Sequence, residues 1–187
     1  MKVLGIIGSA RKGGNTEILV SECLKSAESR GAKTSFLRLS ELKISPCNGC
    51  GLCEKDGECG IEDDMQKVYQ ELLGADGIIV GSPVYFWTVS SYVKIFMDRT
   101  YALRYPTRRL KDKVGGAIVV ASRRGGACAL STINNFFLNH EMIIGGLGVL
   151  GYARGKGEIM KDERAIRESR EMGERIVELI LSIKSKK

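Results

Sequence analysis

Short Val- and Ile-rich runs alternate with amphipathic segments along nearly the whole chain, and this alternation restricts the fold more than any other feature of the sequence. Strands that alternate with helix-length segments build βαβ units, whose crossovers place a parallel sheet between two layers of helices. The spacing predicts strands over Lys2 to Gly8, Lys33 to Leu39, Gly77 to Gly81, Val114 to Ala121 and Met142 to Leu150. Helices are predicted over Thr16 to Ser29, Asp63 to Leu73, Ser90 to Leu103, Leu130 to Asn139 and Asp162 to Ile183. The last carries Ile176, Ile180 and Ile183 on one face, as a covering helix does. Near-continuous apolar stretches such as Gly77-Ile78-Ile79-Val80 suit strands buried on both faces. The expected architecture is an α/β, doubly wound, five-stranded parallel sheet in the order 2-1-3-4-5, formed by one domain over residues 1–187.

Composition agrees: 187 residues, 43% hydrophobic and 27% charged, suffice for one globular core and exclude disordered and collagen-like chains. No apolar run approaches the roughly 18–20 residues of a membrane span, and the apolar opening Val3 to Ile7 is cut short by Gly8-Ser9. A cytoplasmic chain without membrane attachment is therefore expected. A single histidine, His140, excludes His-rich metal sites and leaves one possible base for a Ser-His or Cys-His device, so demanding chemistry falls to a cofactor. His140 itself is expected to be structural or solvent-facing.

Directly after the first strand comes Gly8-Ser9-Ala10-Arg11-Lys12-Gly13-Gly14-Asn15-Thr16, opening the first helix. A glycine-rich loop at a helix N-terminus offers free backbone N–H groups and the positive end of the dipole to a phosphate. Ser9, Asn15 and Thr16 add neutral donors, and Arg11 adds a charge. Gly14-Asn15 stands where a Walker loop needs Lys-Ser or Lys-Thr, and the Gly-x-Gly-x-x-Gly spacing is missing, which leaves a site for the single phosphate of a mononucleotide.

Two further loops follow the third and fourth strands: Ser82-Pro83-Val84-Tyr85-Phe86-Trp87 and Ser122-Arg123-Arg124-Gly125-Gly126. In the order 2-1-3-4-5 the first and third strands are neighbours, and ligands of open sheets sit at such carboxyl ends. Tyr85, Phe86 and Trp87 suit a ring platform, a lid or a contact between subunits.

The segment 40–62, between the second strand and the second helix, is much longer than the roughly 2–6 residues usual for such connections. It carries Cys47-x-x-Cys50-x-x-Cys53 and, five residues on, Cys59; Gly49 and Gly51 give its backbone the freedom to wrap. Zinc sites of four cysteines usually come as two separated pairs, whereas a compact triplet plus one is nearer to ferredoxin spacing. The last gap and the lack of a proline after Cys59 depart from the bacterial ferredoxin run. A 4Fe-4S cluster, zinc, and a metal-free or redox-disulfide loop all remain open at this point. Cys23 and Cys128 are expected to be buried packing residues.

Charge is uneven. Residues 41–76 hold nine acids and three bases, whereas Arg99 to Lys113 hold six bases and one acid, and Lys184, Lys186 and Lys187 add to a net +7. The basic stretch fits steering of an acidic partner, a solvated loop, or pairing with the acidic segment of another subunit. A nucleic-acid-binding protein is disfavoured, because no basic stripe is interleaved with stacking aromatics.

Ser9-x-Arg11-x-x-Gly14-Asn15-Thr16 and Ser82-Pro83-Val84-Tyr85, followed by Lys94 and Asp98-Arg99, resemble the NAD(P)H-dependent FMN reductase branch of the flavodoxin-like proteins over about Lys2 to Leu150. The resemblance implies FMN, with its phosphate at Ser9, Arg11, Asn15 and Thr16 and its ring near Pro83 to Trp87 and Ser122 to Gly126. Lys94 is expected to be solvated, and Asp98 and Arg99 to be structural or interface residues. Pro46-Cys47 through Cys59, then Asp63-Asp64-Met65, inside this frame, resembles the iron-sulfur flavoproteins of anaerobic microbes. That resemblance implies a 4Fe-4S cluster on Cys47, Cys50, Cys53 and Cys59, and a homo-oligomer, dimer or tetramer. The function it implies is electron transfer between a one-electron donor such as ferredoxin and a two-electron acceptor. The rival expectation is an NAD(P)H-dependent FMN or quinone reductase whose cysteine loop holds zinc or nothing.

Overall fold

The computed structural model describes residues 1–185; Lys186 and Lys187 of the basic tail lie outside the described residues. Strand β1 (Lys2–Ile7) runs between β2 (Lys33–Arg38) and β3 (Gly77–Tyr85), parallel to both, with Ile7 opposite Arg38 on one side and Gly81 on the other. β3 pairs in parallel with β5 (Val114–Ala121), and the next position is shared by β6 (Ile143–Ile144) and β7 (Val149–Tyr152), each paired with β5. A short β4 (Thr88–Val89) folds back antiparallel on the end of β3.

The sheet therefore has seven strands, not five, although the parallel positions keep the expected order. The expected fifth strand, Met142 to Leu150, breaks because Gly146 and Gly148 take φ of 150° and 108°, closed to other residues, and the chain leaves the ladder between β6 and β7. β3 outruns its expected end at Gly81 because Ser82 and Pro83 still pair with Val119 and Val120.

Alternate strand residues feed two separate cores. Leu4, Ile6, Ile78, Val80, Ala117 and Val119 pack under α3 (Met65–Gly74), α4 (Ser91–Arg99) and α5 (Gly126–Asn139). Val3, Ile7, Ile79, Ile118 and Val120 pack under α1 (Asn15–Ser29) and α6 (Glu163–Lys184). Each such Val, Leu or Ile side chain, fully removed from water, contributes about 1.5–3 kcal/mol. Helix α6 lies so close to α1 that a Cβ at Gly173 would collide with the Cys23 carbonyl oxygen. Cys23 is buried in this interface as expected, and burial pushes its thiol pKa up. Cys128 is not buried: it sits on the exposed face of α5's first turn, where no neighbouring element covers it. Among the described residues, no helix is long and apolar enough to cross a membrane.

His140 is 3% exposed, at the end of α5. Thr100 Oγ1 donates its one proton to the Met97 carbonyl at 2.7 Å, so its contact of 3.1 Å with His140 Nε2 is one in which the imidazole donates. Burial, with the nearby Arg104 and Arg108 charges, brings the His140 pKa down to about 4, so the ring is neutral and structural.

The basic stretch 99–113 is largely committed within the chain. Arg99 is buried, Arg108 and Lys111 pair with Glu141, and Lys113 donates to the Leu73 and Ala75 carbonyls at the end of α3. Lys94 is exposed, as expected, and pairs with Asp98 one turn on.

Candidate functional site

A cavity of about 400 Å³ opens at the carboxyl ends of β1, β3 and β5. Its first wall is the loop after β1, with Ser9, Arg11, Asn15 and Thr16. Gly14 precedes α1 and no side chain caps it, so the helix presents unshared N–H groups at this wall. Pro83, Val84 and Tyr85 from the end of β3 form a second wall, and Val120 and Ser122 from the end of β5 a third. The loop after β7 closes the cavity with Ala153, Arg154 and Lys156. Three cations, Arg11, Arg154 and Lys156, thus surround one helix N-terminus.

The asparagine of this loop is used structurally. Asn15 Nδ2 donates to the Gly155 carbonyl at 2.8 Å, and its Oδ1 accepts from the Ile159 N–H, which ties the start of α1 to the loop after β7. Glu158 holds that loop from the other side by accepting from the Arg154 and Gly155 N–H groups, which lower its pKa. Glu17 accepts two hydrogen bonds from Arg38 and one from the Gly13 N–H; the Arg38 bonds lower its pKa most.

The remaining ring-platform candidates divide. Val84 and Ser122 also line a neighbouring cavity of about 420 Å³, with Phe86, Trp87, Arg123 and Arg124. Phe86 and Trp87 form the turn between β3 and β4 with φ of 44° and 75°, a left-handed backbone that non-glycine residues hold only under strain. Phe86 is 98% exposed at its tip. Gly125, at φ 84°, presses against this turn, where a Cβ would meet the Trp87 backbone. Ser82, Gly14, Gly125 and Gly126 line neither cavity; they shape the loops instead, Ser82 Oγ by accepting from the Ser90 N–H at 3.0 Å.

Arg154, Lys156 and Ala153 have no motif in the sequence. A signal was present, however: they follow the last strand of the sheet, at the same carboxyl edge as the other loops.

The cysteine segment lies between β2 and α3, irregular except for a 3-10 turn at Leu39–Glu41 and the short α2 (Cys53–Asp56). Cys47 and Cys50 are exposed and Cys53 and Cys59 half-buried, all as free thiols. Burial raises the Cys53 pKa, and charge on Cys59, Cys47 and Cys50 adds to the rise, so each of the other three thiols acts on Cys53. Among the described residues, no three His, Cys, Asp or Glu side chains stand gathered as a metal-ligating set. The donor set is nonetheless all sulfur, and Gly49 and Gly51, with positive φ and open space around them, leave the backbone room to close.

Residues 1–155 match the family model of the NADPH-dependent FMN reductases. An iron-sulfur flavoprotein of Methanocaldococcus jannaschii is 40% identical over 193 residues, covering 98% of this chain and 100% of the relative. The chain belongs to the iron-sulfur flavoproteins of the NADPH-dependent FMN reductase family. A second iron-sulfur flavoprotein, from Methanosarcina thermophila, is 38% identical over 148 residues, or 78% of each chain. The fold extends to distant structures. RosB, solved with a bound riboflavin-5'-phosphate derivative, superposes with a TM-score of 0.83 at 16% identity over 99% of this chain and 81% of that one. An archaeal flavodoxin superposes with a TM-score of 0.65 at 18% identity over 96% and 99%. The iron-sulfur flavoprotein chain is thus an α/β protein of flavodoxin-like fold.

Proposed function

We propose that this protein is an electron-transfer flavoprotein that holds FMN in the cavity at the carboxyl edge and a 4Fe-4S cluster on Cys47, Cys50, Cys53 and Cys59. The carrying observation is the convergence of Ser9, Arg11 and Thr16 with Pro83 to Tyr85 and Ser122 around an uncapped helix N-terminus, in a chain that also carries four free thiols in one segment. When bound, FMN exchanges one or two electrons and the cluster one, so the pair links a one-electron donor of ferredoxin type to a two-electron acceptor.

The chain's own part is binding and insulation. Ser9, Thr16 and the N–H groups of α1 receive the phosphate, and Arg11, Arg154 and Lys156 neutralise its charge. Pro83, Val84 and Tyr85 would hold the ring and shield it from water. No acid or base is required of the protein, in keeping with a neutral, buried His140. Assembly as a homo-oligomer and residence in the cytoplasm belong to the same proposal.

The ungathered thiols favour one rival, an NAD(P)H-dependent FMN or quinone reductase with zinc or no metal in the cysteine segment. Flavin, iron and acid-labile sulfide analysis of anaerobically prepared protein separates the two. The proposal expects FMN with about four irons and four sulfides per chain; FMN with zinc or no metal establishes the rival.

A further inference from the structure

The cysteine segment leaves the body of the protein at Ser45 and returns at Ile61, and one side chain from α4 holds both points. Arg99 Nη1 donates to the Ser45 carbonyl at 2.8 Å and Nη2 to the Ile61 carbonyl at 3.1 Å. The same two nitrogens grip Asp63, at 2.7 Å to Oδ2 and 3.1 Å to Oδ1. Asp63 in turn accepts from the Ser45 and Met65 N–H groups, which closes a ring of contacts between entry, exit and the first residue of α3. The Arg99 side chain is 0% exposed. Its backbone carbonyl accepts from the Tyr69 hydroxyl at 2.7 Å. Tyr69 and Cys59 line one cavity together with Asp63, and, although burial lowers it, the Asp63 bond and charge on Cys59 raise the Arg99 pKa. The Arg99 Nε–H is buried and, among the described residues, unshared.

A fully desolvated guanidinium is costly, and one carboxylate would satisfy only part of it. Here four oxygens from three parts of the chain use both terminal nitrogens, and only the planar fork of arginine can span them.

We propose that Arg99 is the positioning residue of the cysteine segment: it fastens the segment's two ends so that Cys47 to Cys59 can close on a cluster, and sets a buried positive charge on the Cys59 side of the thiol set. This rests on the reading of the four cysteines as cluster ligands. A cluster bound by four thiolates carries net negative charge, and the adjacent cation stabilises its reduced form over its oxidised form. Lysine at this position retains the charge but cannot bridge Ser45, Ile61 and Asp63.

The test compares wild type, Arg99→Lys and the double variant Arg99→Met with Asp63→Leu, in which an apolar pair replaces the buried ions so that no unpaired charge is left. FMN titration reports folding, since the flavin cavity uses none of these residues. After anaerobic reconstitution with iron and sulfide, both variants are expected to bind FMN as wild type does. Their cluster content falls about tenfold; the lost cation and lost carboxylate offset in the double variant, so the potential is read in Arg99→Met alone, where the residual cluster has a lower reduction potential. Wild-type cluster content in both variants, with an unchanged potential in Arg99→Met, would overturn the proposal. If wild type itself takes up no iron, the ligand reading fails, and hydrogen exchange over residues 46–62 then decides the clamp: faster exchange in the variants sustains it, unchanged exchange refutes it.

Discussion

Ser90 Oγ lies 2.6 Å from the Gly8 carbonyl oxygen and donates to it. Ser90 Oγ also accepts from the Val93 N–H as the N-cap of α4, and the Gly8 N–H donates to the Gly81 carbonyl at 2.8 Å. One fully buried serine thus couples the start of the phosphate loop to the loop after β3, two walls of one cavity that are far apart in sequence. Ser90→Ala removes a cap and leaves a buried carbonyl without its donor. A loss of about 1–3 kcal/mol in urea unfolding is expected, with weaker FMN binding in apoprotein titrations. Unchanged flavin affinity would show that the two walls are independent.

The phosphate assignment predicts a difference between FMN and riboflavin. Arg11→Ala should weaken FMN binding at least about tenfold, given that hydrogen bonds to charged groups contribute roughly 1.5–3 kcal/mol, and Thr16→Val somewhat less. Riboflavin, which lacks the phosphate, should bind both variants as it binds wild type. Equal losses for the two flavins in fluorescence-quenching titrations would place the phosphate elsewhere.

How far the sequence discloses this site depends on the kind of signal each part leaves. The Val114 to Ala121 strand and the loop after β1 are legible because each is local: an unbroken apolar run, and a glycine-rich turn into a helix. β4 is not, because its hairpin turn uses Phe86 and Trp87 in left-handed backbone where Asn-Gly is the usual signature. Arg154 and Lys156 carry no motif and reach the cavity through the pairing of β7 with β5, so their one trace in the sequence is their place after the last strand. Arg99 was expected to be structural or an interface residue; its burial beneath the cysteine segment could not be read from its place in a basic stretch.

The cysteine segment and the flavin cavity are built from different loops, so they should fail separately. Cys50→Ala is expected to lose most of the iron and sulfide while binding FMN within about twofold of wild type, as expected for groups that share no contacts. Full iron content in that variant would remove Cys50 from the ligand set.

Stability should fall on mild acidification because of His140. Its folded pKa of about 4 lies below the ordinary 6.5, so the unfolded chain binds the extra proton between these values. Stability is then complete above pH 6.5 and declines as pH falls toward 4, by about 3 kcal/mol in total. His140→Gln, which can still donate to Thr100, should flatten this limb of the urea-midpoint curve. The further loss at lower pH, as Glu17 and Asp63 protonate, should persist in the variant, because Arg38 and Arg99 hold both carboxyls below their ordinary range. An unaltered slope between pH 6.5 and 4 would contradict the buried neutral imidazole.

Under the proposed function one chain holds a two-electron and a one-electron centre together. Anaerobic titration of the purified protein with a one-electron reductant, followed by its visible spectrum, counts them directly. Uptake of about three electrons per chain, with bleaching of both flavin and iron-sulfur absorption, is the predicted result. Uptake of about two, with bleaching of the flavin alone, would contradict the account.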